Sequence, residues 1–274
     1  MNPLFVTLWI AVGVAAVTWI TSLITGEYSW VDRIWSIVPL GYVWVIAAGS
    51  GFANARLIMM AILVSLWGMR LTFNFARKGG YARGGEDYRW AYLRKGMPRP
   101  VFEVFNLVFI VVFQNGLLLL ISLPAYVAFK NPTGLSWLDA VLALCFLGAL
   151  VGETIADQQQ WNFQQWKKAE VAAGRVPGLR FVQTGLFRFA RHPNFFFEQV
   201  QWWLFFLMGC VAAGSVWQWT VVGPVLLTGL FIGSTRFTEQ ISRERYPEYA
   251  EYQGRVSALI PWFQRGARGV AVEQ

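Results

Sequence analysis

Seven long apolar runs dominate the chain, at about Leu4–Ile24, Ile34–Ala53, Leu57–Ala76, Phe102–Ala125, Leu135–Ile155, Phe195–Ala213 and Val216–Ser234. Each is close to the roughly 20 residues that a helix needs to cross the hydrocarbon of a bilayer. Lipid offers no partner to a bare N–H or C=O, so spanning segments of this length are helices, their backbone bonds closed within the segment. The expected fold class is all-α, a polytopic membrane protein with seven transmembrane helices. Composition agrees: 56% of the 274 residues are hydrophobic and 14% charged, too few charges to cover a soluble domain of this length. The first run is not expected to be a signal peptide, because no cationic stretch precedes it and no small-residue cleavage site follows. The expected organisation is one membrane domain over residues 1–263, with a flexible tail over 264–274.

The net charge of +8 is concentrated in three segments. Arg77, Lys78, Arg83, Arg89, Arg94, Lys95 and Arg99 follow the third run, while Lys167, Lys168, Arg175, Arg180, Arg188 and Arg191 follow the fifth. Arg236, Arg243, Arg245, Arg255, Arg265 and Arg268 gather near the C-terminus, and the opposite side has only Arg56 and Lys130. This asymmetry predicts an N-terminus outside and a C-terminus in the cytoplasm. It also explains the basic balance without nucleic acid, so no nucleic-acid partner is expected.

Two cysteines, Cys145 and Cys210, and one histidine, His192, exclude a zinc site or a disulfide framework. No metal is expected. Ionisable residues near membrane depth are functional candidates. Asp32 and Arg33 open the second run, Arg70 closes the third, Glu103 opens the fourth, and Glu153 and Asp157 close the fifth. Asn194 and Glu198 open the sixth, and Arg236 and Glu239 close the seventh. In the derived topology all these positions fall at cytoplasmic helix ends, which predicts one polar cavity there with an apolar floor. Glu153 and Asp157 share a helix face by their spacing, as do Asn194 and Glu198. The loop from Arg77 to Pro100 mixes glycine, arginine and aromatics. It reads as a solvated basic loop facing anionic headgroups or as a phosphate cradle. The polar segment Asp157–Ala173 reads as a helix that lies along the interface or continues the fifth span.

One stretch carries more information than the rest: Gly185-Leu186-Phe187 through Arg191-His192-Pro193-Asn194 to Glu198, followed by a last helix, Arg245-Tyr246-Pro247-Glu248-Tyr249-Ala250-Glu251-Tyr252 and Leu259-Ile260-Pro261-Trp262. This block resembles the steroid 5-alpha-reductase C-terminal family, in particular its bacterial multi-pass branch. It shares the Arg-His-Pro-Asn element with sterol reductases and a shorter Arg-His-Pro element with isoprenylcysteine carboxyl methyltransferases. The resemblance implies an integral membrane reductase, in a bacterial inner membrane, that binds NADPH from the cytoplasmic side through a half at about 153–263. By similarity Asp157, Arg180, Asn194 and Glu198 would contact the cofactor, as would Arg191, His192, Tyr249 and Tyr252. Arg236 is added to this set. Phe197 stands where the family carries a glycine before the glutamate.

The residues themselves limit the chemistry. No glycine fingerprint follows a strand, so a nucleotide would be held by loops and helix ends rather than by a Rossmann domain. An aromatic-lined pocket in the bilayer suits a lipophilic substrate. Hydride transfer to a carbon–carbon double bond conjugated to a carbonyl needs a proton donor for the developing enolate. Asp32 and Glu198 are the candidate catalytic residues, with Tyr28 and Tyr92 in reserve. The expected activity is reduction of a lipophilic enone such as a 3-oxo-Δ4 steroid. The alternative is an S-adenosylmethionine-dependent methyltransferase of the isoprenylcysteine carboxyl methyltransferase type, and a third class is a scaffold or transporter. Expected partners are the lipophilic substrate and membrane lipids, with no protein partner.

Overall fold

The computed structural model describes residues 1–264, so all but the first residue of the expected flexible tail lies outside the described residues. Among these residues there are helices and no strand, and one isolated bridge joins Ala190 to Ser257. The chain divides into two compact units, Met1–Leu147 with Trp202–Leu227, and Gly148–Gln201 with the chain from Thr228 on. The expected cofactor-binding half coincides with the second unit except for Trp202–Leu227, which belongs to the first.

The first unit begins with α1, Pro3–Thr25. Its outer face is apolar, with Trp9, Val12, Leu23 and Ile24 exposed, and its buried positions are small or polar: Thr7, Ala11, Thr18 and Ser22. That inversion is expected where lipid is the solvent and helices pack through small and hydrogen-bonding side chains. Next come α2, Trp30–Ile34, and α3, Val38–Gly49. A single span was expected here, but α3 alone is 12 residues long, about 18 Å. Pro39 explains the interruption, since it lacks an N–H and its ring clashes with the carbonyl four residues earlier, that of Trp35. Tyr42, Val43, Ile46 and Ala47 make α3 the buried centre of this unit.

Helix α4, Ala55–Arg77, crosses the break closely. A Cβ on Gly68 would lie 2.6 Å from the Ser36 carbonyl oxygen, so only glycine admits this approach. One turn further on, the Ser36 and Thr72 hydroxyls are hydrogen-bonded at 2.7 Å. At the start of α4, Arg56 is fully buried against the loop before a later helix.

After α5, Tyr88–Gly96, a longer rod is built from α6, Arg99–Phe105, a π-helical stretch Asn106–Phe113, α7, Gln114–Ser122, and α8, Pro124–Lys130. The rod is tied to α1 by polar contacts: Asn106 Nδ2 donates to Ser22 Oγ (3.1 Å) and Asn115 Nδ2 to Thr18 Oγ1 (3.3 Å). Phe105, Phe109 and Phe113 stack along it, with ring centroids 5.0 and 5.4 Å apart.

Helix α9, Trp137–Ala172, is one continuous helix of 36 residues, about 54 Å long. The polar segment after Asp157 therefore continues the apolar one. Helix α10, Pro193–Ala213, opens with proline at the position where a missing N–H costs nothing. Helices α11, Val222–Arg245, and α12, Tyr249–Arg255, complete the described chain. Six segments are long and apolar enough to cross a membrane: α1, α4, the rod Arg99–Lys130, α9, α10 and Trp219–Arg245. The chain is an integral multi-pass membrane protein, and lipid surrounds its exposed apolar faces.

Candidate functional site

The Arg-His-Pro-Asn turn lies in the second unit and is held from both sides. Before it, a 3-10 turn spans Gly185–Arg188. Gly185 has φ +61°, and a Cβ there would lie 2.5 Å from Gln159 Oε1. The same Gln159 oxygen accepts the Leu186 N–H at 2.9 Å, so α9 seats the turn through one amide. Gly185→Ala adds both left-handed strain and a clash. It is expected to cost about 1–2 kcal/mol or more, read as a lower melting temperature of the purified protein.

After the turn the backbone is clamped by the C-terminal segment. Arg191 N donates to Ser257 O (2.8 Å), His192 N to Ala258 O (3.0 Å), and Trp262 N to Phe189 O (2.9 Å). The side chains converge on Glu239 of α11, which is 6% exposed. Arg191 Nε and Nη2 meet its two oxygens at 2.5 and 3.0 Å, and His192 Nε2 lies 3.1 Å from Oε1. Gln253 Nε2 donates to Oε2 at 2.7 Å, and the Tyr249 hydroxyl reaches Oε1 at 3.5 Å. Arg191 Nη1 also donates to the carbonyls of Gln253 and Val256. Four of the five guanidinium N–H donors of Arg191 are thereby spent on the protein's own acceptors.

Tyr249 and Tyr252 belong to an aromatic cluster with Phe181 and Tyr246. The Tyr252 hydroxyl donates to Phe187 O at 2.5 Å. Burial pushes both phenols up, reinforced at Tyr249 by the Glu239 charge and opposed at Tyr252 chiefly by Arg191, so both are neutral hydrogen-bonding groups. Lys167 of α9 donates to Arg180 O (2.6 Å) and to the Tyr246 hydroxyl (2.9 Å), which fixes the backbone at Arg180 while its side chain is exposed.

Asp157 and Glu198 are both buried, at 4% and 7% exposure. Their helices touch one turn away. Gln201 Nε2 of α10 donates to Glu153 Oε2 of α9 at 2.7 Å. A Cβ on Gly152 would meet the Phe197 ring at 2.6 Å, so a glycine on α9 makes the room that Phe197 on α10 needs. Asn194 is half-buried in the first turn of α10, and Arg236 is exposed on α11. The predicted residues of the second unit thus form a Glu239-centred group (Arg191, His192 and Tyr249) and a pair of adjoining helices that carry Asp157 and Glu198.

Asp32 belongs to the first unit. Trp90 Nε1 donates to its Oδ2 at 2.8 Å. The Asp87 and Arg89 side chains, themselves paired at 2.7 Å, are held just before Trp90 in the chain. The glycine-rich loop beside it is pinned rather than open. Tyr28 N donates to Glu86 Oε1 (2.7 Å), Asp87 N to Ser29 Oγ (2.9 Å), and Arg33 bridges Gly80 O (3.2 Å) and Glu27 Oε2 (2.6 Å). The Tyr28 hydroxyl donates to Glu103 Oε1 at 2.7 Å, and Tyr92 is exposed.

The sequence places Glu239 among the polar helix ends but gives it no cofactor role, and it does not single out Gln253, Gln159 or Gln201. A signal for Glu239 existed: Phe231, Thr235 and Glu239 recur every four residues and are all buried. No periodicity indicates its pairing with Arg191, 48 residues away.

A family model described as a protein of unknown function (DUF1295) matches residues 18–256. An uncharacterized protein of the fission yeast Schizosaccharomyces pombe is 38% identical over 275 residues, which cover 95% of this chain and 80% of that protein. No solved structure matches the chain.

Proposed function

We propose that this chain, which belongs to the DUF1295 family, is a membrane-embedded NADPH-dependent reductase that saturates the carbon–carbon double bond of a lipophilic enone such as a 3-oxo-Δ4 steroid. The observation that carries the reading is the fixed turn at Arg191–Asn194, which opens α10 with Asn194 and sets Glu198 one turn deep on a helix packed against the Asp157-bearing α9. Resemblance of this block to steroid 5-alpha-reductases supplies the reaction class.

The residue chemistry suits the cofactor. Exposed Arg180 and Arg236 offer forks for phosphate oxygens. Asn194 and Glu198 suit a carboxamide, and Asp157 a ribose hydroxyl. Arg191 contributes less directly, because Glu239 already neutralises it and takes two of its donors. NADPH, when bound, supplies the hydride. The protein orients the ring through Asn194 and Glu198, excludes water with the apolar faces of α9 and α10, and provides the proton for the enolate oxygen or carbon. Asp32 or Glu198 is the proton donor we assign.

Topology completes the proposal. Trp35 and Ile37, between α2 and α3, keep helical dihedrals, so residues 30–49 make a bent rod of about 30 Å. We take it as a seventh crossing, with the N-terminus outside and the C-terminus in the cytoplasm. The bacterial branch of the resemblance supports a bacterial inner membrane.

The test is ligand-dependent melting of the detergent-purified protein. A molecule that binds the native state raises apparent stability, so NADPH is expected to raise the melting temperature. Stabilisation by S-adenosylmethionine alone would replace the reductase reading with a methyltransferase. Glu198→Gln is expected to lower NADPH-dependent turnover at least about a hundredfold with membrane insertion unchanged. Wild-type turnover in that variant would remove Glu198 from the site.

A further inference from the structure

The second unit contains a cleft of about 490 Å³ between the end of α12 and the returning segment 256–263, and of its lining the reductase reading uses Arg191 alone. One wall carries Arg191, Gln253 and Arg255, and the rim carries Ile260, Trp262 and Phe263. The cleft is built rather than incidental, because three backbone hydrogen bonds fasten its floor to residues 189–192.

Its two arginines differ. Arg191 is neutralised by Glu239 in close contact. Among the described residues Arg255 has one loose partner, Glu251, at 3.6 Å, and that carboxylate is itself 74% exposed. The Nε of Arg255 is buried and has no acceptor among the described residues. The rest of the Arg255 side chain is accessible, 39% exposed, so an anion in the cleft can reach its guanidinium. The rim is apolar and open: Ile260, Trp262 and Phe263 are 67%, 68% and 78% exposed. These residues lie outside the six candidate spans. Large aromatics next to arginine, outside the hydrocarbon but on a membrane protein, fit the headgroup zone, where an amphipathic ring lies between chain and water.

We propose that this cleft binds the phosphate-bearing head of an anionic membrane lipid, with Arg255 on the phosphate and the upper acyl chain against Ile260, Trp262 and Phe263. The ligand class follows from the two walls together. A soluble anion would leave the rim unused, and a zwitterionic lipid would bring its own cation to Arg255.

The protein in nanodiscs tests this with lipids brominated on the acyl chain. The Trp262 signal is the difference between wild type and Trp262→Phe. Brominated phosphatidylglycerol is expected to quench that signal more than brominated phosphatidylcholine. Arg255→Gln is expected to lower the preference about fivefold. Arg245→Gln, which removes an equal charge from an exposed position outside the cleft, is expected to retain it. Equal quenching by the two lipids, or equal losses in the two variants, would overturn the proposal. So would full loss of the preference in inorganic phosphate at constant ionic strength, which would assign the cleft to free phosphate. None of these readouts depends on NADPH, so the reductase reading stands or falls separately.

Discussion

Arg56→Ala is expected to destabilise the protein by about 3–5 kcal/mol. Arg56 and Asp139 are both 1% exposed and form a two-pronged pair, Nε to Oδ1 at 2.7 Å and Nη2 to Oδ2 at 2.9 Å. The remaining donors of the guanidinium hold Thr133 Oγ1 (2.5 Å) and Gly134 O (2.8 Å). Asp139 in turn accepts from Ser136 N (2.7 Å) and Ser136 Oγ (2.9 Å), capping the first turn of α9. One side chain from α4 therefore organises a whole loop and the start of the next helix. Alanine would leave a carboxylate buried without its cation, and the cost of that orphan exceeds the net worth of the pair. Asp139→Ala should lose a similar amount for the reciprocal reason. Replacing both residues by leucine should recover much of the loss, since no charge is then stranded. Reversible unfolding in mixed detergent measures all three. A loss below about 1 kcal/mol in Arg56→Ala would mean that water reaches the pair.

Glu239→Ala is the second large effect, also about 3–5 kcal/mol, and it should be local to the second unit. Arg191, His192, Gln253 and Tyr249 all lose their common acceptor. Arg191, whose side chain is 10% exposed, becomes a cation in a poorly hydrated site. The segment 256–263 is held to residues 189–192 by backbone bonds that depend on the turn keeping its shape. The expected signature is lower melting temperature together with faster proteolytic cutting within residues 253–263. Glu239→Gln retains acceptor capacity without charge and should lose less. Equal proteolysis of wild type and Glu239→Ala would show that backbone bonds alone hold the segment.

Most of the spanning architecture was legible in the sequence because lipid leaves a chain few options. An apolar run of sufficient length has to be a helix, and α1, α4, α9 and α10 begin within two or three residues of the expected positions. The second run shows the limit of that argument. Hydropathy counts side chains, whereas the break before α3 is a backbone effect of Pro39 on the Trp35 carbonyl. The wider winding at Asn106–Phe113 is equally silent, since its composition is that of any apolar helix. Helix phase, a local property, sufficed to put Glu153 and Asp157 on one face of α9 and Asn194 and Glu198 on one face of α10. The partner of Arg191 was not, because Glu239 lies 48 residues on and only tertiary packing joins them. Arg56 was read as a stray cation that marks one side of the membrane. Its partner is 83 residues away, and charge counting has no way to see a pair.

The π-helical stretch has a mechanical consequence. Eight residues, Asn106–Phe113, carry hydrogen bonds one residue longer in reach than their neighbours. Such a coil holds surplus backbone. Tightening it by one residue would slide α6 lengthwise and turn its faces without lengthening any loop. Trp90, whose ring packs near Phe105 at 6.4 Å and whose indole holds Asp32, is attached to the moving end. The Asp32 carboxyl is thereby linked, through Trp90 and Phe105, to the start of the π-helical stretch.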